Sequence, residues 1–351
     1  MSKNTLNRRS FLGSSLAAAA TVTAGSALSA NDAKDGKSGM NSGPFNPKTY
    51  GAMPTRSFGK TGFKVGILSL GGQATLEKEG TEEVSEQIIN RAIDLGVNYI
   101  DTAASYGRGR SQLNIGRVMK TRRSEVWLST KTHNRTYDGS MRLLEESLKS
   151  LQTDHLDMWQ LHNIKKQEQM DQIFAKDGAI KALEKAKDEG IVRHLGITGH
   201  YEPVILMNAI KNYPFSAILM ALNAADPHYL SFKRYLLPEA QKLGIGIIGM
   251  KVATRGRMLA EWTPPPTEEQ PVRMATQLPG TISIKEALTY NMSLPVSTTI
   301  IGVDNIAQIE EDVRIASEFS PLSPQEMDSL EFRTLPIVRQ GLYFRRWELG
   351  E

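Results

Sequence analysis

Val97-Asn98-Tyr99-Ile100-Asp101-Thr102-Ala103-Ala104-Ser105-Tyr106-Gly107 is an apolar run that ends on a carboxylate, with a tyrosine five residues further on. Two later stretches follow the same plan. In residues 126–134, VWLSTKTHN, the apolar run leads to Lys131, and in residues 156–163, LDMWQLHN, it leads to His162. Each run has strand length and gives way to polar residues. In parallel α/β architectures, polar groups at the C-terminal ends of strands gather at one mouth. Taken singly, a strand-end Asp or Lys reads as a cap or a solvated charge, and a lone His as a satisfied core residue. Together, Asp101, Tyr106, Lys131 and His162 make a chemical set. A lysine held by a carboxylate stabilises a phenolate and so draws the tyrosine down from its usual pKa of about 10. The tyrosine then donates a proton near neutral pH while the histidine orients a carbonyl oxygen. The four side chains are therefore expected within one pocket.

Outward from these runs, short apolar segments alternate with longer amphipathic ones. Strands are expected at Gly66–Leu70, Tyr99–Asp101, Val126–Thr130, Leu156–Leu161, His194–Thr198, Ala217–Leu222, Gly246–Met250 and Thr298–Ile301. Helices are expected between them, for example over Glu82–Leu95, Ser140–Leu151 and Ile173–Glu189, with Gly96, Gly190 and Gly244 where helices should stop. Eight such alternations within about 265 residues predict an α/β fold, a (β/α)8 TIM barrel, rather than an open sheet. Ahead of them, RSFGKTGFKVG reads as a hairpin turning at Lys60-Thr61-Gly62. One stretch breaks the rhythm. Val252–Ser283, with Thr263-Pro264-Pro265-Pro266-Thr267 inside it, reads as a long loop at the mouth, expected to cover cofactor or substrate.

The segments DTAASYGRGRSQLNIGRVM, STKTHN, SMRLLEESLKSLQTDHLDMWQLH and GIVRHLGITGH, in this order, resemble the aldo-keto reductase family from about Met53 to Ile315. The resemblance implies a barrel with a hairpin plug at its bottom. It also implies that Asp101, Tyr106, Lys131 and His162 are the catalytic tetrad. The domain division expected is 1–29 signal, 30–52 flexible linker, 53–335 barrel and 336–351 C-terminal tail, with a C-terminal helix ahead of the tail.

No Gly-x-Gly-x-x-Gly follows a first strand, so a Rossmann domain is not indicated. The resemblance implies instead NADP(H) or NAD(H) lying across the mouth, its phosphates on the loops after the seventh and eighth strands. Those loops are Met250-Lys251-Val252 and Gly302-Val303-Asp304-Asn305, and Gly72, Lys251, Gly302 and Val303 are the implied contacts. Family members with a strong NADPH preference carry Lys and Arg where this chain has Gly302 and Gln308, and Glu-Asn where it has Glu311-Asp312. Two cations facing a 2′-phosphate are missing and a carboxylate stands nearby, so weakened NADPH preference, or NADH use, is expected. At the nicotinamide end the usual Ser-Asn is Thr198-Gly199, and the usual Gln is Leu219 or Met220. Thr198 retains one hydrogen bond there, and Asn223 is a candidate for the other.

The remaining properties narrow the class. The chain has no cysteine, which excludes disulfides and thiolate chemistry, and its six histidines show no metal-ligand spacing, so no metal is expected. Residues 1–29 have a basic start, an Ala-rich middle and small residues at the end. With Asn7-Arg8-Arg9-Ser10-Phe11-Leu12 they resemble a twin-arginine signal peptide, engaging that export machinery and leading to the periplasm. The apolar run is too interrupted by Gly, Ser and Thr for stable membrane insertion. Removing 1–29 takes three cations and no acid, lowering the formal charge from +4 to +1 and leaving no electrostatic case for nucleic acid. The expected activity is NAD(P)H-dependent reduction of a small-molecule aldehyde or ketone, with Tyr106 as general acid. The rival is a tight cofactor-binding sensor or structural subunit. A barrel glycosidase would need paired strand-end carboxylates, which are absent here.

Overall fold

The computed structural model of the protein describes residues 43–270 and 276–347. The expected signal peptide, the first part of the expected linker, Arg273 and the last four residues lie outside them. Two short antiparallel strands, β1 (Thr55–Ser57) and β2 (Lys64–Gly66), form the expected hairpin. Eight parallel strands follow: β3 (Leu68–Gly71), β4 (Tyr99–Asp101), β5 (Trp127–Thr132), β6 (Leu156–Leu161), β7 (Val192–Gly199), β8 (Ala217–Ala221), β9 (Gly246–Met250) and β10 (Thr298–Ile301). Each pairs with its successor, and β10 closes the ring on β3 through Thr299↔Leu68 and Ile301↔Leu70. The (β/α)8 barrel is the observed fold. Its strands are covered on both faces, which is why they read as continuous apolar runs rather than alternating ones; every residue of β6, β8 and β9 is buried.

The hairpin seals the bottom. Phe58 is fully buried, with its ring 5.3 Å from Trp127 and 5.7 Å from Tyr99, at the starts of β5 and β4. The helix before β6 runs over Tyr137–Leu151, one turn longer than its apolar spacing indicates, because the Thr136 side chain accepts from Gly139 N and caps it earlier. The expected helix Ile173–Glu189 is two helices, Gln167–Phe174 and Ala179–Asp188. They break at Gly178, where a Cβ would stand 2.1 Å from Ile173 O, so the chain doubles back at a contact only glycine permits.

The described part of the expected linker is docked rather than free. Asn46 Nδ2 donates to Ile93 O (2.8 Å) and Val97 O (3.3 Å), and Thr49 Oγ1 donates to Gly96 O (2.8 Å). Composition marks these residues as polar loop; only the fold shows which carbonyls they reach. The other end of the chain crosses the mouth. Gln340 Nε2 donates to Arg257 O and Leu278 O, and the Arg345 guanidinium is bonded to the buried Asp226 carboxylate. Asn46→Ala should cost about 1–3 kcal/mol, the worth of its lost bonds to buried carbonyls. Thermal unfolding should show this as a midpoint lowered by several degrees, whereas an unchanged midpoint would mean that residues 43–52 contribute nothing.

Candidate active site

β4 and β5 carry inward-facing polar residues at a spacing of two, Tyr99 and Asp101, Ser129 and Lys131; Gln160 of β6 is followed at the same spacing by His162, one residue past the strand's end. Side chains alternate along a strand, so each pair shares one face. The register sets Asp101 beside Ser129, and Lys131 beside Gln160. Lys131, with its side chain at 0% exposure, is ion-paired with Asp101, at 1%. Its ammonium also donates to Thr102 O (2.7 Å) and the Tyr106 hydroxyl (3.4 Å), and lies 4.8 Å from the Tyr106 ring centroid. Asp101 accepts a second bond from Gln160 Nε2 (2.9 Å), which also donates to Ser129 Oγ (2.7 Å), and a third from the Tyr99 hydroxyl (3.4 Å). The His162 ring lies 5.7 Å from the Tyr106 ring, edge to face. The four expected residues converge.

Tyr106 is placed by the turn that follows it. Gly107 has φ +55°, and a Cβ there would stand 2.0 Å from Glu77 O, so the turn packs directly on the loop after β3. A side chain at 107 would push Tyr106 out of the mouth. One expectation needs correction. Burial raises the Tyr106 pKa, and the Lys131 charge offsets only part of that rise. The reason is that Asp101 already neutralises Lys131, and its own charge opposes phenolate formation. Tyr106 is therefore protonated at neutral pH, as a proton donor must be at rest. His162 is held well below the usual imidazole range by burial and by the charges of Lys131, Arg135, His133 and Lys251, so it is neutral. Ser105 Oγ lies 3.4 Å from Nδ1. A hydroxyl donating there assigns the ring proton to Nε2.

The implied cofactor residues fall into three groups. Gly302, Val303 and Lys251 share the rim at the ends of β10 and β9, and a Cβ on Gly302 would stand 3.0 Å from Gln73 O. Lys251 has φ +64°, and burial, followed by the Arg255 charge, lowers its ammonium to about 8. Thr198 sits at the end of β7, with Oγ1 accepting from Asn163 N (2.8 Å). Asn163 Oδ1 is buried without a partner. The other implied residues have the following surroundings. At Gly72 the Cβ direction is filled by Ser111 Oγ at 2.5 Å, making it a packing glycine. Asn223 holds Lys251 O, Thr254 and Gly341 O with its amide nitrogen and Ala225 N with its oxygen, so its N–H groups are committed to the fold. Gln308 is exposed and caps Asp304 N (2.7 Å), and Glu311 is exposed. Asp312 is turned inward at 2% exposure, and burial raises its carboxyl to about 7. Half protonated near neutrality, it is a weak repellent for a phosphate.

Sequence reasoning missed Gln160, Tyr99 and Ser129, although their spacing of two from His162, Asp101 and Lys131 is a usable signal. It also missed Lys78, paired with Asp304 (2.8 Å) beside the β10 loop. The long loop after β9 spans the rim, where Arg255 reaches Glu77 on the loop after β3 (3.2 Å). The base of that loop is pinned by Ala260 N donating to Ile282 O (2.9 Å).

The chain is similar to known proteins. The sequence profile of the Aldo/keto reductase family matches residues 64–332. The chain is 25% identical to the uncharacterized oxidoreductase YqkF of Bacillus subtilis over 321 residues, covering 83% of this chain and 98% of that protein. It is 27% identical to L-galactose dehydrogenase of Arabidopsis thaliana over 328 residues, covering 84% and 97%. Among solved structures, an aldo-keto reductase from Klebsiella pneumoniae in complex with NADPH superposes with a TM-score of 0.64 at 20% identity, covering 80% of this chain and 94% of that one.

The placement of Asp312 has a pH signature. An acid with a folded pKa of about 7, against about 3.9 unfolded, destabilises the fold progressively as pH rises between those values. Asp312→Asn should match the wild type below about pH 4, gain on it through that window, and end roughly 2–4 kcal/mol more stable above pH 7. Denaturant titrations at pH 4, 6 and 8 measure this, and a pH-independent difference would place the carboxyl in water.

Proposed function

The chain belongs to the aldo/keto reductase family, and on that premise we propose that it reduces a small aldehyde or ketone to an alcohol, with Tyr106 as the proton donor. The observation that carries the reading is the buried Lys131–Asp101 pair with the Tyr106 hydroxyl 3.4 Å from the ammonium. Oxidoreductase activity with a nicotinamide dinucleotide, NADP(H) or NAD(H), is the activity of the family. The donor set supports such a cofactor. Asn163 Oδ1 is an unpaired acceptor suited to a carboxamide N–H, and the Lys251 ammonium suits a pyrophosphate. Bound there, the dinucleotide supplies the hydride.

The protein's own residues do the rest. Neutral His162 donates from Nε2 to the substrate carbonyl oxygen and fixes its direction. Tyr106 donates its phenolic proton to that oxygen as negative charge develops on it. Lys131 stabilises the resulting phenolate, and Asp101, held by Gln160 and Tyr99, keeps Lys131 in place. Tyr106 then recovers a proton from solvent. We read residues 1–29 as a twin-arginine export signal, supported by Arg8-Arg9 and the Ala-rich segment after them; cell fractionation of the full chain against an Arg8→Lys, Arg9→Lys variant tests this.

Tyr106→Phe should lower kcat by about 10²–10⁴-fold on a good aldehyde and leave cofactor affinity within about threefold, because only the general acid is lost. Wild-type turnover in that variant would assign the acid to another group. The dissociation constants of NADPH and NADH, measured at one ionic strength, should differ by less than a hundredfold. Gly302 and Gln308 bring no charge, and the nearby cations Lys78 and Arg255 are already paired with Asp304 and Glu77. A larger preference for NADPH would show that one of these cations leaves its partner for the 2′-phosphate.

A further inference from the structure

The loop after β5 holds a charge that the mechanism above does not use. Arg135 Nη2 donates to the main-chain carbonyl of His162 (2.8 Å), and Nη1 is buried with no partner at all. Among the described residues no carboxylate lies within ion-pair distance of it. By contrast, Arg345 has Asp226, Arg123 and Arg193 share Asp157, and Arg56 spans three carbonyls at a helix end. Removing a charge from water without a counter-ion is costly, and burial lowers the Arg135 pKa to about 10.

The position of Arg135 in the ring says which side of the mouth it serves. β5 and β9 are opposite one another in the closed barrel. Lys251, Gly302 and Val303 stand on the β9 and β10 rim, whereas Arg135 stands across from them, directly behind His162. Of the groups whose charge lowers His162, Lys131 is neutralised by Asp101, Lys251 belongs to the far rim, and His133 is itself held below the usual imidazole range by burial and by Arg135. That leaves an unmatched cation on the substrate side.

We propose that Arg135 is a specificity-determining residue that recognises an anionic group, a carboxylate, on the carbonyl substrate. The inference rests on the reductase reading and narrows it to aldehydes or ketones bearing an acid. A planar guanidinium with one edge anchored on His162 O can turn its remaining N–H groups to a carboxylate without losing its orientation. Because the anchor is the backbone of the catalytic histidine, acid recognition and carbonyl orientation share one rigid support. Arg135 is also fixed from the other side, its own carbonyl accepting from Ala179 N (2.9 Å) just after the Gly178 break.

The test compares succinic semialdehyde with butanal, and 4-carboxybenzaldehyde with benzaldehyde, in wild type, Arg135→Gln and Arg135→Lys. Wild type should favour at least one acid over its neutral partner by about tenfold or more in kcat/KM, through KM, and added salt should shrink the preference. Arg135→Gln should raise KM for that acid by about 10–100-fold and KM for its neutral partner by less than about threefold, the lost bond to His162 O acting on kcat of both alike; Arg135→Lys should retain part of the preference. Equal losses on acidic and neutral aldehydes would overturn the proposal and leave Arg135 as a clamp on His162, and so would a wild type that prefers the neutral partners. Should the Gln variant not fold, the Lys variant and the salt dependence carry the same decision. If no aldehyde turns over, the reductase reading fails separately. Calorimetric titration of 4-carboxybenzaldehyde and benzaldehyde into the protein with NADPH then decides this proposal: tighter binding of the acid, lost in the variants, upholds it, and equal binding refutes it.

Discussion

The rest of the site depends on an ion pair withdrawn from water, Lys131 with Asp101, in the upper layer of a closed barrel. Such a pair is stable only when its remaining donors and acceptors are satisfied, because desolvation of both charges otherwise exceeds their attraction. Here Thr102 O and the Tyr106 hydroxyl take the ammonium, while Gln160 and Tyr99 donate to the carboxylate. The requirement therefore fixes inward-facing polar residues on three adjacent strands. It also fixes the turn that brings Tyr106 back over the pair, where Glu77 O leaves room only for Gly107. Satisfying the buried charges and positioning the proton donor are one structural problem with one solution.

Around that centre the rim is closed by long-range contacts. The loop after β9 reaches the loop after β3 through Arg255 and Glu77, and the C-terminal segment is clasped by Arg345 on Asp226. The first pair lies at the surface and is therefore weak in stability terms. The second is buried and carries three further bonds to Asp226, from Ser231, Phe232 and Lys233. It behaves as a permanent fastening.

Most of the barrel was legible because strands covered on both faces leave long apolar runs, and the tetrad was legible because each member ends or follows such a run. What escaped the sequence depends on distance or on which way a side chain turns. The helix break at Gly178 lies at a close contact with Ile173 O that the sequence does not display, although Asp177-Gly178 is itself a turn signal. The Arg345–Asp226 clasp joins positions 119 residues apart. Asp312 lies next to Glu311 in sequence yet faces inward, so a count of nearby charge misjudged what a phosphate would meet. The Tyr106 shift went the other way because pairing with Lys131 is readable from residue types, whereas the depth of burial that outweighs it is not.

Whether Tyr106, rather than His162, gives the proton is decided most directly by the pH dependence of kcat/KM for aldehyde reduction. With Tyr106 above the ordinary phenol range and His162 neutral far below pH 6.5, the account predicts a flat profile from about pH 6 to pH 9 when the cofactor is saturating, so that the Lys251 ammonium, at about 8 in the free protein, is not read; the profile falls only as the phenol ionises. A descending limb centred between about pH 6 and pH 7 would instead identify an imidazolium as the acid and contradict the role assigned to the buried pair.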